Sequence, residues 1–192
     1  MAVLRGVSLC YAPTHHFGGF FSLAKKWVMY YYSARLDYCM SALKHKKLAV
    51  MGAGMVGGAL INYLEKKHSN YVVYDPPKGF ADTHVLNEAE VIFLCVPTPF
   101  NEGTRGFDLS FVHEAISVLQ PGKTIVIKST IVPGTTEKLQ RQYEQHRICY
   151  NPEFLTEVTT EQDFAYPDRQ IIGYTEQSYA VAKDIILLLP QA

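Results

Sequence analysis

Three glycines and one downstream acid form the clearest chemical pattern in the sequence. The hexapeptide at 52–57 reads GAGMVG and follows a short apolar run, LAVM. Asp75 comes about 20 residues further on, directly after a second run, YVVY. In such a pattern Gly52 permits a tight turn, Gly54 lets a phosphate approach the backbone, and Gly57 lets the following helix pack closely on a sheet. We therefore predict a dinucleotide-binding loop.

The chemistry of this loop favours NAD as the dinucleotide. The start of a helix offers free N–H groups and partial positive charge to a pyrophosphate. A carboxylate at Asp75 accepts hydrogen bonds from ribose hydroxyls and repels the extra phosphate of NADP. Lys78, in the turn that follows, brings a cation near that acid and would soften the preference. A glycine turn that binds nothing is the alternative, but strand, helix and acid are all in place.

Three further segments place polar residues after predicted strands. They read CVPTPF at 95–100, KSTIVPGT at 128–135 and NPEFLTE at 151–157. Ligands of open parallel sheets bind outside the carboxyl ends of the strands. We therefore expect the first segment to face the cofactor. The other two also follow strands, and the third holds two carboxylates four residues apart.

Polar residues in the second half of the chain also have purely structural interpretations. Thr130 could cap a turn with its hydroxyl. Glu153 and Glu157 lie four residues apart, and spacing alone favours the solvated face of a short helix. Asp168 and Arg169 could be a catalytic pair, but a structural salt bridge is the better interpretation.

Strand-like and helix-like segments alternate from Lys47 onward. Predicted strands lie at 47–51, 71–74, 91–96, 124–128, 147–150 and 170–172, and predicted helices at about 55–67, 109–119, 135–143 and 176–189. Such alternation predicts a parallel sheet with helices on both faces. We therefore predict an α/β fold over residues 45–192, a Rossmann-like, doubly wound parallel sheet.

The first 44 residues differ from the rest. They are rich in aromatic residues, and Asp37 is their only acid. A helix over about 22–43 is plausible because that stretch lacks proline and glycine. We expect these residues to form an extension outside the fold that is partly helical or disordered. They match a signal peptide poorly. It is either a genuine extension or, slightly favoured, upstream sequence joined to the domain by a misplaced start codon before Met40.

Composition excludes several classes of function. Lysine plus arginine equals aspartate plus glutamate, at 18 each, so neither nucleic acid nor an anionic membrane is an expected partner. No apolar run reaches transmembrane length. The cysteines (Cys10, Cys39, Cys95 and Cys149) form no metal-ligand spacing, which predicts no metal and a reducing, cytoplasmic setting. Cys95 and Cys149 lie in or beside apolar strands and fit buried core residues better than nucleophiles.

Six motifs occur in the same order as in one known family. They are GAGMVG at 52–57, PTP at 97–99, DLSFV at 108–112, KSTIVPGTT at 128–136, NPEFLTE at 151–157 and PDRQIIG at 167–173. From about Lys46 onward the chain resembles the N-terminal NAD-binding domain of the nucleotide-sugar 6-dehydrogenases, the UDP-glucose/GDP-mannose dehydrogenase family. The resemblance implies oxidation of a sugar C6 alcohol to a carboxylate with two NAD⁺, through a thiohemiacetal and a thioester.

The resemblance also implies roles for single residues. Thr130 would orient a catalytic water or the reacting hydroxyl and contact the nicotinamide. Glu153 would be the acid/base of thioester hydrolysis, and Glu157 would lie near the cofactor and its water network. Phe154 and Leu155, with Glu153, would hold the nucleotide sugar, most simply UDP-glucose. The remaining residues expected to line the NAD site are Met55, Val56, Val96, Thr98, Ser129 and Ile131, beside the glycines and Asp75.

Departures from the family pattern limit these expectations. The family's nucleophilic cysteine and its dimer-forming central helix belong to a C-terminal half, so we expect this chain alone to bind NAD without turning over a UDP-sugar. The segment from Asp75 to Val91 is short, and Val158 replaces a glycine. Two alternatives stay open: a 3-hydroxyacid-type NAD dehydrogenase, which leaves NPEFLTE unexplained, and a non-catalytic NAD-binding module.

Overall fold

The computed structural model describes residues 46–67, 70–103 and 106–191, together with two strands at 7–10 and 27–32. The strands are β1 Val7–Cys10, β2 Trp27–Tyr32, β3 Leu48–Met51, β4 Tyr71–Tyr74, β5 Val91–Leu94, β6 Phe100–Asn101, β7 Gly106–Phe107, β8 Thr124–Ile127, β9 Arg147–Tyr150 and β10 Ile171–Tyr174. The helices are α1 Met55–Lys67, α2 Thr83–Asn87, α3 Ser110–Ser117, α4 Thr135–Gln142, α5 Thr160–Ala165 and α6 Tyr179–Leu188.

Eight of the strands form one sheet in the order β1-β2-β10-β9-β8-β5-β3-β4, and β6 and β7 form a separate hairpin. The five strands from β9 to β4 in this order are mutually parallel. Strands β4 and β5, which follow β3 in the sequence, lie on opposite sides of it in the sheet. The direction in which the chain winds therefore reverses at β3. Crevices at such reversals, at the carboxyl ends of the strands, are the usual ligand sites of this fold.

Helices cover both faces of the sheet, as the alternating pattern predicts. In β3, Leu48 and Val50 pack into a core with α1, α5 and α6. Ala49 and Met51 point the other way, into a core with α2, α3 and α4. Successive side chains of a strand face opposite sides, so a strand covered on both faces is apolar throughout. The prediction of a doubly wound α/β fold is confirmed.

The strand next to the parallel region runs in the opposite direction to its neighbour. Strand β10 pairs antiparallel with β9, with Gly173 opposite Tyr150 and Tyr174 opposite Cys149. The beginning of β10 therefore lies at the same sheet edge as the end of β9. This arrangement brings the segment after Tyr150 close to the segment before Ile171.

The predicted helix over about 22–43 is wrong at residues 27–32. These residues form β2, which pairs antiparallel with β10 and with β1. The segment reads WVMYYY, and aromatic and β-branched residues favour strands, while the edge of β10 offers unpaired backbone groups. The rest of the predicted helix lies outside the described residues. The boundary between an extension at 1–44 and a domain at 45–192 stays a prediction.

Most predicted elements are found with ends shifted by a few residues. The expected strand at 91–96 ends at Leu94, and the expected helix at 176–189 is α6. Sequence patterns missed the short helices α2 and α5 and the β6–β7 hairpin. Helix α2 begins after Asp82, whose carboxylate accepts hydrogen bonds from the backbone N–H of His84 and of Val85, a normal cap for a helix too short to show periodicity.

Candidate NAD and active site

Two glycines of the 52–57 loop are required by the fold itself. Gly52 has a φ of 88°, and a Cβ there would lie 2.6 Å from the carbonyl oxygen of Cys95. A Cβ on Gly57 would lie 1.8 Å from the carbonyl oxygen of Gly52. Both distances are far inside van der Waals contact. These glycines therefore let β3, the turn and α1 pack against the end of β5.

Gly54 is free of any such internal constraint. A Cβ on Gly54 would meet no atom within 4 Å, and the residue is exposed. Helix α1 begins directly after it at Met55, so unpaired N–H groups of the first turn are presented beside open space. Met55 is exposed and Val56 half-buried. A side chain at Gly54 would fill the space that a pyrophosphate needs, so the loop fits a dinucleotide.

Asp75 joins the glycine loop, as the spacing predicts. One of its carboxylate oxygens accepts a hydrogen bond of 2.8 Å from the backbone N–H of Ala53. Its side chain is only 12% exposed. Lys78 Nζ lies 4.0 Å from the same carboxylate oxygen and also donates to the Ala53 carbonyl oxygen. The acid is therefore held against the loop, and the cation expected near it is present.

The loops after β5 and β8 are linked by a serine. Ser129 Oγ donates to the carbonyl oxygen of Val96 at 2.6 Å, so two predicted NAD-site residues are in direct contact. Thr98, further along the first loop, is half-buried, while Ile131 is buried. Thr130 lies between Ser129 and Ile131 with its side chain exposed at this edge of the sheet. The Ser129 hydroxyl thus braces the two loops.

A buried polar cluster joins the end of β8 to the end of β9. The Lys128 side chain is 2% exposed; its ammonium forms an ion pair with Glu153 and donates a 2.6 Å hydrogen bond to Asn151 Oδ1. Burial raises the pKa of Glu153 above its usual range, while the Lys128 ammonium acts to lower it. Sequence reasoning did not single out Lys128 or Asn151. Their only signal was membership of the KST and NPE motifs.

A cavity of about 210 Å³ opens beside this cluster. Glu153, Phe154 and Leu155, the three residues predicted to hold the substrate, all line it. The opposite wall comes from the segment before β10, where the guanidinium carbon of Arg169 lies 4.5 Å from the centre of the Phe154 ring. The structure therefore brings the NPEFL and PDR motifs together around one space.

Glu157 is placed differently from Glu153. Its side chain is exposed in the turn before α5, and it is not among the residues that line the cavity. Asp163 holds this turn by accepting hydrogen bonds from the Thr156 backbone N–H at 2.9 Å and from the Thr159 hydroxyl at 2.8 Å. These contacts lower the pKa of Asp163. The two glutamates are therefore not a matched pair of acids in one pocket.

Cys149 is buried in the core, as predicted, while Cys95 is half-buried directly after β5. Burial raises the pKa of the Cys95 thiol to about 12 and that of the Cys149 thiol to about 11. A thiol with so high a pKa supplies almost no thiolate near neutral pH, and the thiolate is the nucleophile. The side chains of Cys10 and Cys39 lie outside the part of the molecule that the structure describes.

The part of the chain that the structure describes contains neither a candidate membrane span nor a candidate metal site. No helix there has the length and apolar character needed to cross a membrane. The same residues contain no group of three or more histidine, cysteine, aspartate or glutamate side chains placed to hold a metal ion.

The glycine loop, the acid at its side and the reversal of strand order define an NAD-binding domain with a Rossmann-like fold. The family described as "UDP-glucose/GDP-mannose dehydrogenase family, NAD binding domain" matches residues 78–186, more than half of the chain. The chain belongs to this family. The match begins at Lys78 and does not include the glycine loop, so the assignment of that loop rests on its sequence pattern and geometry.

Individual proteins extend this comparison. The UDP-glucose 6-dehydrogenase of Streptococcus pneumoniae is 33% identical over 118 residues, which cover 60% of this chain and 29% of that protein. The UDP-D-ManNAc dehydrogenase structure from Pyrococcus horikoshii superposes with a TM-score of 0.63 at 23% identity, covering 76% of this chain and 45% of that one. A GDP-mannose dehydrogenase structure from Pseudomonas aeruginosa gives 0.60 at 18% identity, over 74% and 44%.

The two structural matches show the fold alone at these identities. The chain spans less than half the length of each of the three proteins. Their names specify three different sugar nucleotides. The comparisons therefore define the domain and the family without distinguishing a substrate.

Proposed function

We propose that this chain is the NAD-binding half of a nucleotide-sugar 6-dehydrogenase that oxidises a sugar C6 alcohol to the carboxylate. UDP-glucose is the substrate we put forward, since the pneumococcal relative is named for it. The observation that carries the proposal is the position of Glu153. Its carboxylate is ion-paired, largely buried and part of a cavity wall, at the same carboxyl edge of the sheet as the glycine loop.

The proposed roles follow from the positions of the side chains. NAD⁺, when bound, accepts the hydride from the sugar carbon. Glu153 exchanges protons with the substrate or a water, and a carboxyl group whose pKa is raised by burial is better suited to do so near neutral pH. Exposed Thr130 orients the reacting hydroxyl or water, and backbone at Phe154 and Leu155 holds the nucleotide sugar. Glu157, in the exposed turn before α5, accepts hydrogen bonds from the water network near the cofactor.

The second oxidation of this reaction needs a thiol that forms a covalent bond to the sugar aldehyde. The high pKa values of Cys95 and Cys149 make both unsuitable. We propose that the thiol comes from a C-terminal half, as the family resemblance implies. The same half would supply the dimer contact and much of the choice of sugar nucleotide, and the cytoplasm is the proposed location.

A chimeric enzyme tests the proposal. Residues 46–191 of this chain would replace the corresponding segment of the pneumococcal UDP-glucose 6-dehydrogenase. NADH formation would be followed with UDP-glucose, UDP-N-acetylmannosamine and GDP-mannose in turn. We expect NADH with one of these substrates. Glu153→Gln should lower kcat by at least about a hundredfold, the usual range for a proton-transfer group, and Thr130→Ala should lower kcat because the reacting hydroxyl or water loses its orientation.

The control variant is Gly58→Ala. A Cβ at this position meets no atom within 4 Å, and the residue lies outside the glycine pattern. It should leave kcat unchanged. A folded chimera that binds NAD⁺ but forms no NADH with any of the three substrates would contradict the proposal and favour a non-catalytic NAD-binding module.

A further inference from the structure

Lys128 is a charged side chain in the interior of the protein. It follows β8 directly, and its side chain is 2% exposed. Three groups surround its ammonium: the Glu153 carboxylate, Asn151 Oδ1 at 2.6 Å, and the ring of Phe164 with its centre at 5.3 Å. A lysine at a strand end normally extends its charged end into water. Here the charge is held inside by specific partners.

Stability is a weak explanation for such a buried pair. Removing two charges from water costs about as much as their mutual attraction returns, and apolar residues of similar volume often stabilise a protein equally well or better. Phe164 already borders the site and shows that apolar packing is available there. The cluster therefore suggests a chemical role for the pair.

Asn151, directly after β9, links Lys128 to β10. Its side-chain amide donates to the carbonyl oxygen of Ile171 at 2.8 Å and to Gln170 Oε1 at 3.2 Å. Its own oxygen is left for Lys128, and the residue is 1% exposed. The ammonium is thus held by two side chains that follow β9, and one of them, Asn151, is itself bonded to Ile171 in β10 and to Gln170 just before it. Sites supported by strands in this way are more rigid than sites built on loops.

Lys128 and Glu153 both line the cavity, and the more exposed of the two is Glu153. Its side chain is 17% exposed and lines the cavity wall. Burial and the Lys128 ammonium act on its ionisation in opposite directions. Other titratable groups lie around the pair: Cys95 and Tyr150 on the neighbouring strands, and Asp163, Asp168 and Arg169 around the cavity.

We propose that Lys128 is a positioning residue for the proposed reaction: its ammonium holds the Glu153 carboxylate ionised and in place at the cavity wall, while Asn151 holds Lys128. This inference rests on the proposed role of Glu153 as the acid/base. An ionised carboxylate accepts a proton from a bound hydroxyl or water, and the fixed ammonium prevents burial from protonating it beforehand.

The titration of Glu153 tests the inference on the 192-residue chain, independently of any turnover. The carboxyl ¹³C signal of Glu153, assigned by its loss in Glu153→Gln, would be followed against pH. We expect Lys128→Met to raise the pKa of Glu153 by about one to three pH units, the size of effect that an adjacent opposite charge has on a carboxyl group. Lys128→Arg should keep it close to wild type.

Lys138→Met, on the exposed side of α4, is the matched control and should not move the curve. If Lys128→Met fails to fold, Asn151→Ser decides the question, because it keeps the Lys128 ammonium and removes the amide that holds it in place. We then expect an upward shift in Asn151→Ser and none in Lys128→Arg. A Glu153 curve that is the same in every folded variant overturns the inference.

The chimeric enzyme adds a catalytic measurement. Lys128→Met should move the acid limb of the kcat–pH profile upward while KM changes less, and Lys128→Arg should restore the profile. An unmoved profile in an active Lys128→Met chimera contradicts the positioning role. An inactive chimera counts against the proposed function alone, since the titration of Glu153 still decides the role of Lys128.

Discussion

The glycine loop and the Lys128–Glu153 cluster lie at the same edge of one sheet but are built in opposite ways. The loop is made of backbone: Gly52 and Gly57 bring chain segments into contact that any side chain would separate, and Gly54 leaves space open. The cluster is made of side chains that follow β8 and β9, with a buried ammonium at its centre and a brace to the backbone at the beginning of β10. The glycine loop depends on the lack of side chains, and the Lys128–Glu153 cluster depends on the pairing of two opposite charges.

This difference has consequences for mutation and for inference. The backbone site is formed by residues between positions 52 and 75, which are close in sequence. Replacing one of its glycines by alanine should be enough to disrupt it. A side-chain site assembled from positions 128 to 170 is non-local, and its members should be strongly coupled. The variants below separate these two kinds of behaviour.

The largest effect is expected at Gly57. Gly57→Ala places a Cβ 1.8 Å from the Gly52 carbonyl oxygen, so α1 must move away from the loop. We expect a loss of about 3 kcal/mol or more in the free energy of unfolding, the upper range for overpacking. Urea denaturation measures it. Gly58→Ala is the control and should stabilise by roughly 0.5–1 kcal/mol, as alanine does in a helix. Equal stability of the Gly57→Ala and wild-type proteins would contradict the steric account.

The buried pair should show the second largest effect and a large coupling. Lys128→Met leaves the Glu153 carboxylate without its cation, and breaking such a pair costs about 3 kcal/mol. The double variant Lys128→Met/Glu153→Gln removes both charges and should cost less than the sum of the two single variants. A coupling energy of about 1–3 kcal/mol is expected from the four denaturation curves. Additive single effects would show that the two side chains do not act as a unit.

A smaller, pH-dependent effect is expected at the opposite end of the sheet. His146 precedes β9, is 1% exposed, and has no hydrogen-bond partner for either ring nitrogen among the described residues. Burial, aided by Lys123, lowers the pKa of His146 below its ordinary value of 6.5. The unfolded chain therefore takes up the proton at higher pH than the folded chain does. The free energy of unfolding should fall as pH drops below about 6.5, by at most about 1.4 kcal/mol per pH unit.

Denaturation curves between pH 7 and about pH 5 measure this slope. Glu88, Asp108 and Asp163 titrate below this pH window, because contacts lower the pKa of each of these acids from ordinary values of 4.5, 3.8 and 3.8. His146→Phe should reduce the slope. The same substitution at His84, whose side chain is 87% exposed, should leave it unchanged. An acid slope that survives His146→Phe would place its origin elsewhere, including in either of the two sites.

The two sites also differ in how well the sequence predicts them. The turn role of Gly52 and the packing role of Gly57 were predicted, because a spacing rule describes a local backbone geometry. Ribose binding by Asp75 stays a prediction. Lys128 and Asn151 were missed, since a polar residue after a strand is ordinarily solvated. Only the tertiary structure shows that Lys128 is buried against Glu153 and Phe164, and Asn151 against β10. The same limit explains Glu157: four-residue spacing relates it to Glu153, but the turn held by Asp163 separates its side chain from the cavity.

The error at Trp27–Tyr32 has a similar origin. Absence of proline and glycine permitted a helix, but β10 offered an open edge that the local sequence does not encode. The fold of residues 46–191 was predictable because apolar runs such as VIFL at 91–94 are buried on both faces. Short elements with little periodicity, α2 and α5, were not.

Binding of NAD⁺ to the isolated chain is the most direct test of the central claim that the backbone loop at 52–57 carries the cofactor site. Calorimetric titration would compare the wild type, Gly54→Ala and Gly58→Ala, with each variant's stability measured in parallel. We predict saturable binding to the wild type and Gly58→Ala, and a loss of at least about tenfold in Gly54→Ala, or 1.4 kcal/mol, with stability within about 0.5 kcal/mol of wild type. Unchanged NAD⁺ affinity in a folded Gly54→Ala protein, or no binding to the wild type, would contradict the account.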